Sequence, residues 1–199
     1  MAVISNGTTL IDNGILDAAV PTGKMTLLST QTASASATID FTSGIDSTYD
    51  SYVFKFIDIH PATDNADFEF NMTIDGTNWN VTKTTTTFYS YHMEDDSGAG
   101  LTYEAAYDLA QGTGFQYLAA DIGNGNDESA SGSMVLYNPS STTFVKHFLH
   151  SGNRYVGSNI SANDFVAGYG NTTSAVTGIQ FKMSSGNIDS GVIKLYGVS

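Results

Sequence analysis

Residues 66–75, ADFEFNMTID, alternate with a period of two. Phe68, Phe70, Met72 and Ile74 fall on one side, and Asp67, Glu69, Asn71, Thr73 and Asp75 on the other. That pattern predicts a strand with one face in a core and one in water. Just ahead of it, Tyr52, Phe54 and Phe56 alternate with Val53, Ile57 and Ile59, so both sides are apolar apart from Lys55 and Asp58. A strand of that kind is either central in a sandwich or covered on its second side by a partner. Tyr52, Phe54 and Phe56 are therefore candidate interface residues. His60-Pro61 ends the run, because proline cannot donate to a ladder. Asp75-Gly76 predicts a tight hairpin turn, since both residues tolerate positive φ.

The rest of the chain repeats this alphabet. Residues 24–31 and 35–41 predict a first pair of strands, and the run from Thr84 to Tyr91 a long one, because threonine is a good strand former. Strands return at 132–138 and 143–150, with Asn138-Pro139 in the turn between them. Residues 152–173 predict one or two short strands among glycines. The close predicts a C-terminal hairpin around Ser185-Gly186-Asn187. Only LTYEAAYDLA has helical spacing, which predicts at most one short helix near residues 101–110. Nine or ten strands with glycine-rich turns argue for an all-β fold, an antiparallel β-sandwich that is jelly-roll-like.

The chain has 199 residues, enough for one domain with a real core. We divide it into an N-terminal arm or attachment segment (1–23) and a β-sandwich domain (24–199). The arm holds short apolar pieces, among them Ile4, Leu10 and Ile11, broken by Asn-Gly pairs. Alone it would fray, so these three are interface candidates against a neighbour.

Lys and Arg number 7 against 20 Asp and Glu, a net charge of −13. Such a surface repels phosphate backbones and anionic lipid, which disfavours nucleic acid and membrane surfaces as partners. No apolar run reaches the ~18 residues of a membrane span, and the start lacks the regions of a secretion signal. Cysteine is absent, so there are no disulfides or thiolate metal sites.

The opening MAVISNGTTLIDNG, the tract IDFTSGIDSTYDSYVFKFIDIHPATDNADFEFNMTIDG, then NPSSTTFVKHF and the tail FKMSSGNIDSGVIKLYGV together resemble small structural proteins of marine tailed bacteriophages. The resemblance spans nearly the whole chain and is most specific in the central tract and the tail. It implies a virion protein of the tail-fibre or head-decoration type, made in the host bacterial cytoplasm and carried out on the particle. It also implies partners: further copies of the chain, a trimer by expectation, and the major capsid or tail proteins. No catalytic residue or cofactor comes with it.

The residues themselves offer few sites. Asp121, Asp127 and Glu128 sit in a glycine- and asparagine-rich loop and are calcium candidates, because calcium needs six to eight oxygens. A repeat or an EF-hand spacing is missing. His147 and His150 are spaced i, i+3, which on a strand points them to opposite faces rather than to one metal. Trp79, Tyr89, Tyr91 and Tyr103 are candidates for stacking on a host surface glycan. No paired carboxylates, nucleophile elbow, phosphate loop or zinc-protease motif stands out, so no enzyme is expected.

Overall fold

The computed structural model describes residues 25–199 in full and, ahead of them, the backbone of three short strands. These are β1 (Val3–Ser5), β2 (Thr8–Asp12) and β3 (Ile15–Leu16), antiparallel in a small sheet of their own, with Ile11 opposite both Val3 and Leu16. The side chains of Ile4, Leu10 and Ile11 lie outside the described residues.

The main body holds thirteen strands. They are β4 (Thr26–Ser36), β5 (Ile39–Phe41), β6 (Ser51–Pro61), β7 (Ala66–Thr73), β8 (Lys83–Met93), β9 (Ala99–Tyr103), β10 (Ala110–Gly112), β11 (Gln116–Ile122), β12 (Ala130–Tyr137), β13 (Lys146–Val156), β14 (Ile160–Gly170), β15 (Gly178–Met183) and β16 (Ile188–Val198). A long sheet runs β4-β16-β6-β12-β13-β14-β8, with β9 and β10 paired to β8. A short sheet runs β5-β15-β7-β11, and the two join where Ile122 of β11 pairs with Val156 of β13. Every pairing is antiparallel. Eight strands, β4, β5, β6, β7, β11, β12, β15 and β16, form a jelly roll: numbered one to eight, they lie as 1-8-3-6 over 2-7-4-5. The all-β sandwich is as the sequence predicts.

The core between the sheets is aromatic. Phe181 meets Phe41, Phe54, Phe56 and Phe68 at centroid distances of 6.1, 5.3, 5.2 and 5.6 Å. Tyr52, Phe54 and Phe56 belong to this core and are buried by their own chain. Their candidacy as interface residues is thereby replaced: β6 is apolar because it is central, lying between β16 and β12. A bulge explains Ile59 on its second apolar face, whereas Ile57 stays exposed. Asp58 takes φ 51°, and the register slips on both sides, which turns Ile59 inward to full burial. Opposite the bulge Gly191 takes φ +126°, and a Cβ there would lie 2.7 Å from the Asp58 carbonyl oxygen. Tyr52 keeps its hydroxyl satisfied at the sandwich end, accepting from Asp46 N at 2.9 Å and donating to Asp46 O at 3.0 Å.

Three local expectations are corrected. Asp75-Gly76 does not make a hairpin. The Asp75 carboxylate accepts from the backbone N–H groups of Thr77 and Asn78 at 2.9 and 2.8 Å, and the chain crosses to β8 in the other sheet. The C-terminal strands do not form a hairpin either, since β15 pairs with β5 and β7 while β16 pairs with β4 and β6. The one short helix expected near 101–110 is present as a single 3-10 turn, Ala105–Tyr107, while Leu101 and Tyr103 are held in β9 against Ser90 and Phe88. The polar side of β7 is also not simply wet. Asn71 and Thr73 are fully buried, and Asn71 donates to the Trp79 and Thr113 carbonyls at 2.7 and 3.0 Å. Lys83 reaches the same group, donating to Asn71 Oδ1 at 2.5 Å and to Val81 O at 2.8 Å. Burial lowers its pKa to about 7.

Candidate functional site

Two insertions in the jelly roll build the sites. The segment with β8, β9 and β10 lies between β7 and β11 in sequence, and the β13–β14 hairpin lies between β12 and β15. They pair through β14 and β8 over eleven residues, from Ile160↔Met93 to Gly170↔Lys83. The long sheet therefore extends past the short one, and the extension has an inner and an outer face.

Cross-strand register sets the inner face. Arg154 stands opposite Ala162, Ala162 opposite Tyr91, and Tyr91 opposite Gly100. Ala162 and Gly100 are small, so the row dips at Ala162 and the Tyr91 ring lies over Gly100. A Cβ on Gly100 would fall 2.9 Å from the Tyr91 ring, so only glycine leaves that ring its place over β9. One step along, Asp164 stands opposite Tyr89, and Tyr89 opposite Thr102. Beyond the edge of β11 these rows line a cleft of about 350 Å3. Tyr89, Tyr91 and Arg154 line it, with Met93, Val156 and Ile160 as apolar neighbours and Asp121, Thr102 and Ser158 as polar ones.

Arg154 is the sole arginine of the chain and is almost wholly buried. Its Nε donates to Asp164 at 2.8 Å and its Nη1 to the Ala120 carbonyl at 2.6 Å. Burial, the largest single effect, would lower its pKa, but the charge and hydrogen bond of Asp164 together with Tyr117 and Asp121 more than offset it and hold the group above its ordinary value. Asp164 also accepts from the Tyr117 hydroxyl at 3.1 Å. Burial, with Asp164 beside it, pushes that phenol up, so Tyr117 remains a donor. Tyr107 stacks on Tyr117 at 4.0 Å; burial, then the charges of Asp67 and Asp121, raise it to about 12. The Arg154 guanidinium lies 5.4 Å from the centre of the Tyr89 ring. Arg154, Asp164 and Tyr117 are thus fixed by one another and by the Ala120 carbonyl.

The outer face is different. Val135 stands opposite Leu149, Leu149 opposite Ala167, and Ala167 opposite Thr86. In the next row Phe165 stacks on Phe88 at 4.9 Å. These residues line an open groove of about 360 Å3. A second apolar hollow adjoins it, lined by Tyr137, His147 and Tyr169 among others. Leu149 is 50% exposed and Phe88 40%. A sheet face in water normally carries polar side chains, so a contiguous apolar row there marks a contact surface.

The structure separates the sequence candidates. Tyr89 and Tyr91 share the inner cleft, and Asp121 joins them from β11. Tyr103 lies opposite Phe88 on the outer face, where its hydroxyl bonds the Asp108 carboxylate. Trp79 lies elsewhere, its ring against Gly178. Asp127 and Glu128 are apart from Asp121, in a hollow with Asp58, His60 and Asp189. Glu128 turns inward to accept from Gly125 N at 2.5 Å. Among the described residues no three or more His, Asp or Glu side chains are grouped to hold a metal ion. His147 points out and His150 in, and the latter is buried against Phe56, with ring centroids 5.9 Å apart. Arg154 escaped the sequence reading, although a lone arginine in a chain of net charge −13 was a usable signal.

Compared with known proteins, the chain matches no family model, no curated protein and no solved structure. No helix among the described residues is long and apolar enough to cross a membrane.

Proposed function

We propose that this protein is a non-enzymatic structural component of a bacteriophage virion that works by assembly. It sits on the outer capsid surface, as decoration, cement or head fibre, or in the tail apparatus. One observation carries the reading: the row Val135–Leu149–Ala167, with Phe165 and Phe88 beside it, is apolar, exposed at Leu149 and Phe88 and half-buried at the others, and free of acidic residues in a strongly acidic chain. A surface of this kind lets like-charged copies approach without burying charge. The resemblance of the central tract and tail to marine phage structural proteins supports the same reading. Segment 1–23 is the attachment arm in this proposal, and the assembly is a homotrimer.

Co-sedimentation of the purified protein with particles that lack it tests the proposal. Saturable binding is the expected result. Failure to bind head or tail structures, together with a monomeric state in solution, would sink it.

The inner cleft favours a second reading, a receptor- or carbohydrate-binding module of a phage fibre. Two tyrosines and a carboxylate meet there in a hollow of small-molecule size.

A further inference from the structure

We propose that the inner cleft binds a neutral pyranose, with Tyr91 as the stacking platform and Asp121 as the hydroxyl acceptor. The inference rests on the second reading above and goes beyond it by naming the site and the class of sugar.

The shape comes first. The Tyr91 ring lies over Gly100, and on its other side stands the small Ala162, so the ring borders a trough rather than a packed layer. Ring C–H groups of a sugar suit an aromatic face, and Met93 and Ile160 extend the apolar border. A volume of about 350 Å3 is at the small end of ligand sites, which run from about 300 to 1,000 Å3. That suits one or two rings of a surface polysaccharide.

Charge then selects among sugars. An exposed arginine would favour a carboxylated or phosphorylated ligand. Arg154 borders the cleft, but its Nε and Nη1 are committed to Asp164 and the Ala120 carbonyl at 2.8 and 2.6 Å, and the Asp164 carboxylate offsets its charge. The remaining ionised group on the lining is Asp121, which is exposed. Its carboxylate supplies acceptor oxygens on the lining, while Thr102 and Ser158 offer hydroxyls that donate or accept. An anionic sugar meets repulsion here and a neutral one finds acceptors.

The test is an array of neutral-hexose and uronic-acid oligosaccharides matched in length, followed by titration of the best neutral hit monitored by amide NMR. We expect neutral hits, and shifts confined to residues around Tyr91, Thr102, Asp121 and Ser158. Tyr91→Ala and Asp121→Asn should each weaken binding by about tenfold or more, the effect of one lost stacking or charge-assisted contact. Thermal melts of both variants check that they fold. A preference for uronates, or unchanged binding in both folded variants, overturns the proposal. Neutral binding that maps to Trp79 or the outer face overturns this site but leaves the glycan-module reading standing. An array without hits overturns both, while the solution mass reports on assembly independently.

Discussion

The extension sheet has two faces with opposite characters. On the inner face polar groups are buried: Arg154, Asp164 and Tyr117 bond one another beneath Tyr89 and Tyr91. On the outer face apolar groups are exposed: Leu149, Phe88 and Phe165 line an open groove. Each face inverts the usual rule for its environment. Burial of a satisfied ion pair fixes geometry, and exposure of an apolar row invites contact. The contrast separates a site that holds its shape from a surface that needs a partner.

Neighbouring residues allow the sharpest break. Phe148 points in, packed against Phe70 at 4.9 Å, and Leu149 points out. Phe148→Ala should destabilise the fold by about 3–5 kcal/mol in urea unfolding, while Leu149→Ala should stay within roughly 0.5 kcal/mol. Equal costs would erase the distinction between the faces. Arg154→Ala leaves Asp164 buried and unpaired, so a loss of about 3–5 kcal/mol is expected. The double substitution Arg154→Met with Asp164→Leu should be markedly milder. If it is as damaging as the single change, the pair matters for more than its charges.

His150 gives a smaller, pH-dependent effect on the inner face. Burial lowers its pKa from 6.5 to about 4, only partly offset by the nearby Ser133 and Leu118 backbone, which makes no well-formed hydrogen bond to the ring. The folded state therefore favours the neutral ring. Its contribution is full above about pH 6.5 and is lost as pH falls toward about 4, because the unfolded chain takes up the proton first. The stability of the wild type relative to His150→Leu should fall across that window. A flat difference would mean that the ring is hydrated in the folded state.

Much of the sandwich was legible in the sequence, because burial on one side writes a period of two. Phe68, Phe70 and Met72 are all core residues, and the threonine run is indeed the strand β8. Turn residues, however, mark where the chain reverses and not where it pairs next. Asp75-Gly76 and Ser185-Gly186-Asn187 sit at crossings between sheets, which use the same turn chemistry as hairpins. The long β13–β14 pair was obscured because its inner side carries Arg154, Asp164, Gly168 and Gly170 where apolar residues would have shown the alternation. The site was half legible. Tyr89 and Tyr91 share a face at i, i+2, but Arg154 and Asp121 reach them only through long-range pairing.

The central claim is that the outer face is an assembly surface, and light scattering of the wild type and of Leu149→Glu over a range of concentrations tests it most directly. The account predicts a closed oligomer for the wild type and a folded monomer of 21.1 kDa for the variant. A wild type that stays at 21.1 kDa throughout, or a variant that assembles as well as the wild type, would contradict it.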